Sequence, residues 1–171
     1  MTDFSILKGF NDDLSVSAHE YAKAMHSFSK NGSPTDLPKY RPDLVAARDM
    51  FASAGAGLDG ALARAESGRA NLKQPEIVKA KFDAAFDQFV VRPEKAWREI
   101  IPLAIAALDS EIAVADFLAA HKADIKSVGN HLQASKPDVR NQLQSLLAAY
   151  AANTSKISEA RRKLGLVAQG Y

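Results

Sequence analysis

Residues 139–164 read VRNQLQSLLAAYAANTSKISEARRKL, and this stretch decides the fold class. Alternating intervals of four and three residues connect Val139, Leu143, Leu146, Tyr150, Asn153, Ile157, Ala160 and Leu164. Such spacing keeps one stripe of a helix against a partner helix over several turns, as in knobs-into-holes packing. The stretch therefore predicts a long helix that packs along a neighbour. Asn153 is the one clearly polar member of this seam, and a buried amide there would fix the register of the two helices.

A second seam with the same spacing occupies residues 44–72. Its members are Leu44, Ala47, Phe51, Ala54, Leu58, Ala61, Ala65, Gly68 and Leu72. Strand signals are nearly absent, because no run alternates apolar and polar residues with β-branched enrichment. The sequence therefore predicts an all-α fold, an antiparallel bundle of four or five helices with long coiled-coil-like hairpins.

Prolines divide the chain into segments of a single domain, residues 1–171. We expect an N-terminal helix and Pro-containing linker at 1–41, a bundle core at 42–164 and a tail at 165–171. The first helix is predicted to start at Asp12 or Asp13 and to run to about residue 30. A helical pattern continues from Glu94 to about Ala134. Within this stretch, Pro93 predicts a break near residues 91 and 92, and Pro102 predicts a kink near residue 101 of a central helix.

Composition excludes several classes of protein. The chain has 171 residues and no cysteine, so disulfides, thiolate metal sites and a cysteine nucleophile are absent. Lys and Arg number 22 against 20 Asp and Glu, a balance that does not favour nucleic-acid binding. No secretory signal is visible in residues 1–10, so we expect a cytoplasmic protein, with non-classical secretion left open. The apolar stretch 103–120 carries acidic residues, which argues against a membrane span.

Three acidic residues interrupt that apolar helix: Asp109, Glu111 and Asp116. Paired carboxyl groups invite an interpretation as a general acid and base of an enzyme. Because Asp109 and Asp116 are seven residues apart, a solvent-facing stripe explains the acids more simply. We therefore expect all three to face water and predict no catalytic residue.

Gly55, Gly57 and Gly60 spell the G-x-G-x-x-G pattern of dinucleotide-binding proteins. That motif needs a strand before its first glycine, whereas the residues before Gly55 have helical periodicity. The glycines therefore predict close helix packing or a hinge, and no nucleotide. The small residues Ser53, Gly57, Ala61 and Ala65, spaced by four, suit close approach of another helix, and together with the apolar Val114 they form the predicted interaction surface.

No metal or cofactor site is predicted. His121 and Asp124 have a spacing that can hold a metal, but nothing near them supplies a third ligand. His19, His26 and His131 complete the histidines, and no Glu-x-x-His pattern occurs.

Six residues give the segment after Pro75 a wide apolar face: Ile77, Val78, Phe82, Phe86, Phe89 and Val90. With Trp97, the three phenylalanines either form core or line a ligand pocket between helices. The sequence leaves both possibilities open.

The function that these patterns favour is contact rather than chemistry. We expect a non-enzymatic bundle that acts through protein-protein association, as an adaptor, a regulator or a secretion-system accessory. The expected partner is another protein or a second copy of the chain, with no nucleic acid and no membrane span. The alternative is a ligand-sensing bundle whose pocket is formed by Phe82, Phe86, Phe89 and Trp97.

Overall fold

The computed structural model describes residues 5–12, 34–128 and 131–163. In chain order the elements are helix α1 (5–12), a 3-10 helix (Pro34–Tyr40), α2 (Arg41–Ala70), α3 (Glu76–Phe86), a π-helical turn (Asp87–Val91), α4 (Arg92–Ala120), strands β1 (Ile125–Val128) and β2 (His131–Ala134), and α5 (Pro137–Lys163). Residues 5–12 are helical although the predicted helix begins only at residue 12 or 13. The rest of that predicted helix lies outside the described residues.

The arrangement is an antiparallel all-α bundle, as predicted. Helix α4 packs against α2 and α5. Arg48 of α2 pairs with Asp109 of α4, whereas Arg69, further along α2, pairs with Asp83 of α3. The residue numbers rise in one helix as they fall in the other, so α2 runs antiparallel to the continuous arm formed by α3, the π turn and α4.

Both seams pack as their spacing predicts. In α5 the seam residues from Val139 to Ala160 are buried or half-buried, and the residues between them are exposed. The seam residues of α2 from Leu44 to Gly68 are likewise buried or half-buried, as is Leu72 just beyond the helix. Leu164 lies outside the described residues. Burial of these stripes follows from the 3.5-residue repeat and organises the pairwise helix contacts.

Helix α4 is central, as the all-round apolar pattern of its second half predicts. Between residues 103 and 118 the exposed positions are Asp109 and Asp116. The prediction that all three acids face water is wrong for Glu111, which is only 3% exposed. Its position explains the burial: Leu108 and Ala115, one turn away on either side, are core residues of the same face.

The predicted break before Pro93 is wrong, since the chain stays helical through residues 76–120. A π turn replaces the break, and within it the N–H of Arg92 donates to the carbonyl of Asp87, five residues earlier. The cause is Pro93, which has no N–H for the carbonyl of Phe89 and whose ring crowds that turn. Pro102 lies inside α4 and does not end the helix.

The predicted continuation of the helix to Ala134 is wrong, because α4 ends at Ala120 and a short hairpin follows. Strands β1 and β2 pair antiparallel, with Ile125 opposite Ala134 and Val128 opposite His131. The signal that could have found it is Gly129–Asn130, a residue pair favoured in two-residue hairpin turns. Strong helical periodicity on both sides concealed so short an element.

Two core clusters stabilise the bundle. One contains residues of α2, α4, α5 and the hairpin, and the other joins Ile6 and Phe10 of α1 to α2, α3 and the π turn. Trp97 is half-buried and packs against both clusters. No helix among the described residues is long and apolar enough to cross a membrane.

Candidate functional site

The arm formed by α3 and the π turn exposes three large apolar side chains. Ile77 is 74% exposed, Val78 is 40% exposed and Phe89 is 44% exposed. Val78 and Phe89 are eleven residues apart, about three helical turns, so they project from similar sides of the arm. We call Ile77, Val78 and Phe89 the outer face. Clusters of exposed large apolar residues are typical of interaction sites, whereas single ones are ordinary.

The inner side of the same arm holds the outer face in position. Phe82, Phe86 and Val90 are buried in the cluster that includes α1 and α2. The guanidinium of Arg69 lies 4.9 Å from the centroid of the Phe86 ring, and its Nε donates to Oδ1 of Asp83 at 2.9 Å. These contacts from α2 fix the rotation of α3, so Ile77 and Val78 stay directed away from the core.

The π turn separates Phe89 from its neighbour Val90. Val90 is fully buried, whereas Phe89 is nearly half exposed. π turns are rare and occur often at functional sites. Here the turn allows one residue to join the core while the preceding aromatic ring joins the outer face.

The structure does not bring the four aromatic residues of the predicted pocket around one cavity. Phe82 and Phe86 are core residues with ring centroids 6.1 Å apart, Phe89 is exposed, and Trp97 packs between the two clusters. An open cleft of about 650 Å³ lies instead between α1 and α2, and none of the four lines it. Sequence spacing could not separate the buried members of the apolar face from the exposed ones.

The predicted interaction stripe divides into two parts. Ser53 and Gly57 are exposed, whereas Ala61 and Ala65 are buried in the cluster that contains residues of α1. Val114 is 3% exposed and belongs to the core around α4. Binding of a partner at Ser53 and Gly57 stays a prediction, and the other three positions contact this chain's own core.

The glycines of the stripe region lie within an uninterrupted helix, α2. A Cβ on Gly55 would lie 3.3 Å from Cγ2 of Ile101, whereas a Cβ on Gly57 would meet nothing within 4 Å. Close packing therefore applies at Gly55, where α4 approaches. At Gly57 the residue faces open space.

The acids of α4 differ in their surroundings. Asp109 accepts a hydrogen bond from Nε of Arg48 at 2.7 Å, and Asp116 pairs with Arg41. Glu111 takes part in no hydrogen bond or ion pair with the described residues, and burial alone raises the pKa of its carboxyl to about 7. A carboxyl group of this kind can bind and release a proton, but among the described residues no hydrogen bond joins it to another side chain.

The candidate metal ligands do not gather into a site. The ring of His121 packs at a tilt against Phe117 with ring centroids 4.3 Å apart, and Asp124 pairs with Lys136. Among the residues that the structure describes, no group of three or more His, Asp or Glu side chains could hold a metal ion. His19 and His26 lie outside the described residues.

Comparison with known proteins places the chain in a family. The family model described as "Protein of unknown function (DUF3053)" matches residues 1–165. The chain belongs to the DUF3053 family. Relatives of this DUF3053 chain include proteins named "Uncharacterized protein YiaF" from Escherichia coli strain K12 and from Shigella flexneri. Each is 24% identical over 164 residues, which cover 94% of this chain and 68% of the relative. No solved structure matches the chain.

Proposed function

We propose that this DUF3053 chain is non-enzymatic and acts through protein-protein association, as an adaptor, a regulator or an accessory of a larger assembly. The observation that carries the proposal is the outer face, where Ile77 is 74% exposed and Phe89 is 44% exposed. Keeping such side chains in water is unfavourable by about 25 cal/mol for each Å² of apolar surface. A partner that covers the outer face removes this cost.

The partner that fits the outer face is a second copy of the chain. Ile77 and Phe89 are twelve residues apart, a distance of about 18 Å along a helix. In an antiparallel pair of α3 arms related by a two-fold axis, Ile77 of each copy lies opposite Phe89 of the other. A two-fold contact of this type is self-complementary and closes as a dimer.

Lys81 lies between the two ends of the outer face and is compatible with such a contact. It is exposed. The methylene groups of a lysine can cover apolar surface while the ammonium group stays in water. Opposite Lys81 the antiparallel arrangement places Ala85 of the other copy, a side chain small enough to leave room for it.

The alternative of a ligand-sensing bundle has less support. Its four aromatic residues have different surroundings, and two of them, Phe82 and Phe86, are closed within the core. We therefore retain association as the proposed function.

Disulfide trapping tests the antiparallel contact, because the chain contains no cysteine of its own. Ile77→Cys and Phe89→Cys are prepared with tags of different mass, mixed in equal amounts and oxidised. We expect more heterodimer between Ile77→Cys and Phe89→Cys than homodimer of either variant. Ala148→Cys, at an exposed position of α5, is the matched control and should remain largely uncrosslinked. Equal yields from all combinations would contradict the proposed contact.

A further inference from the structure

Two carboxyl groups are buried in α4, and their surroundings differ. Glu94 is 5% exposed and pairs with Arg98 one turn later. Glu111 is 3% exposed and has no such partner among the described residues. A buried carboxylate without a counter-ion is costly, and the group avoids that cost by holding a proton.

The side of α4 that carries Glu111 is apolar along its length. Leu108 is 2% exposed, Val114 is 3% exposed and Ala115 is fully buried, and these residues lie one turn before and after Glu111. All three belong to the cluster that joins α4 to α2, α5 and the hairpin. Glu111 therefore occupies a core position where an apolar residue would ordinarily be found.

We propose that the protonation state of Glu111 sets how tightly α4 packs in the bundle, so that the core is tight when the carboxyl is neutral and loosens when it is ionised. This proposal is independent of the outer face and of self-association.

Titratable and charged groups lie on each of the elements packed against α4. On the neighbouring parts of the 3-10 helix, α2, the hairpin and α5 these groups are Asp36, Lys39, Tyr40, Arg41, Asp43, Arg48, Asp49, Lys126, His131, Arg140, Tyr150 and Lys156. Arg41 and Arg48 are bound by Asp116 and Asp109 of α4 itself. None of these groups forms a hydrogen bond or ion pair with Glu111 among the described residues, and burial is the sole cause of its raised pKa.

Protons can reach the carboxyl group without unfolding of the bundle. Among the described residues, no side-chain oxygen that is completely enclosed lacks a hydrogen-bond partner. Since Glu111 has no partner there, its oxygens retain a small contact with solvent. The group can therefore exchange protons in the folded state.

The direction of the pH effect follows from the raised pKa. The folded chain holds the Glu111 proton up to about pH 7, whereas an ordinary glutamate releases it near pH 4.5. The folded state therefore binds more protons between these values, and the free energy of unfolding falls as pH rises through this range. Below pH 4.5 the contribution is fully present, and above about pH 7 it is lost.

The experiment compares urea midpoints at pH 5 and pH 8 for the wild-type chain, Glu111→Gln and Asp109→Asn. Asp109→Asn is the matched control, because it removes an exposed carboxyl two residues away on the same helix. We expect the drop in midpoint from pH 5 to pH 8 to be clearly smaller in Glu111→Gln than in the other two proteins. An equal drop in all three would overturn the proposal. If Glu111→Gln fails to fold, Glu111→Leu serves the same comparison.

A direct titration separates Glu111 from every other group. Carbon-13 resonances of the glutamate side-chain carboxyls are followed from pH 3 to pH 9, and the resonance absent from Glu111→Gln is assigned to Glu111. We expect its titration midpoint to lie near 7, the value raised by burial. A midpoint near 4.5, the ordinary value for glutamate, would overturn the proposal whatever the urea midpoints show.

Discussion

Asn153 of α5 donates a hydrogen bond from Nδ2 to the backbone carbonyl of Ala106 in α4, across 3.3 Å. Its Oδ1 accepts from Nζ of Lys156 at 3.4 Å. Both bonds are long for N–H···O contacts, whose usual distance is about 2.9 to 3.0 Å. The amide is half-buried in the seam of α5, where its neighbours are apolar. The amide therefore helps to fix the register of α5 against α4 and adds little to stability.

Asn153→Leu should raise the urea midpoint of unfolding. Leucine buries more apolar surface at this seam position, and the hydrogen bond that it removes is weak. The same substitution should reduce the uniqueness of packing, seen as broader methyl resonances in NMR spectra. Asn141→Leu, at an exposed position of the same helix, is the control and should change neither property. Destabilisation of about 2 kcal/mol or more by Asn153→Leu would show that the amide bond is essential.

Gly57→Ala and Gly68→Ala should change the stability of the protein differently, although both replace a glycine of α2. A Cβ on Gly57 meets nothing within 4 Å, so alanine should stabilise the helix by about 0.8 to 1 kcal/mol. A Cβ on Gly68 would lie 3.0 Å from Cδ1 and Cγ1 of Ile6, so the Ile6 side chain must give way by a few tenths of an ångström. We therefore expect a lower thermal midpoint for Gly68→Ala than for Gly57→Ala. Equal midpoints would show that α1 does not pack tightly at Gly68.

The ion pair between Arg48 and Asp109 should contribute only modestly to stability, and that contribution should depend on salt, because both side chains are about half exposed. The double variant Arg48→Asp with Asp109→Arg exchanges the two charges. Its unfolding midpoint should recover part of the loss that either single substitution causes. Near 1 M NaCl the differences should shrink, since exposed charges are screened. If the double variant loses as much of its unfolding midpoint as the two single variants lose together, the pair does not couple α2 to α4.

The two seams, and so the all-α class, could be predicted from the sequence because helix packing is periodic, whereas the start of the first helix, the continuity across Pro93 and the end of α4 could not. The seam spacing accounts for Ala47, Phe51 and Leu143, which are buried, and for Leu146, which is half-buried. The hairpin was not predicted because four-residue strands have too few residues to establish a period. The burial of Glu111 was not predicted either, since a charged residue is most often exposed and its true neighbours come from other parts of the chain.

The outer face shows a similar limit of sequence reasoning. Ile77 and Phe82 look equivalent in the sequence, yet only Phe82 lies in the cluster that α1 and α2 complete. Which apolar residue is covered depends on the rotation of α3, which Arg69 and the π turn fix. Neither contact is visible in the periodicity of α3 itself.

Self-association through the outer face is tested most directly by sedimentation velocity at increasing protein concentration. The wild-type chain should show a shift from monomer to dimer, and the double variant Ile77→Ser with Phe89→Ser should remain monomeric at the same concentrations. Leu147→Ser removes an exposed apolar residue from α5 and should behave like the wild-type chain. A wild-type chain that stays monomeric at high micromolar concentration, or a double variant that dimerises as the wild type does, would contradict the proposed contact.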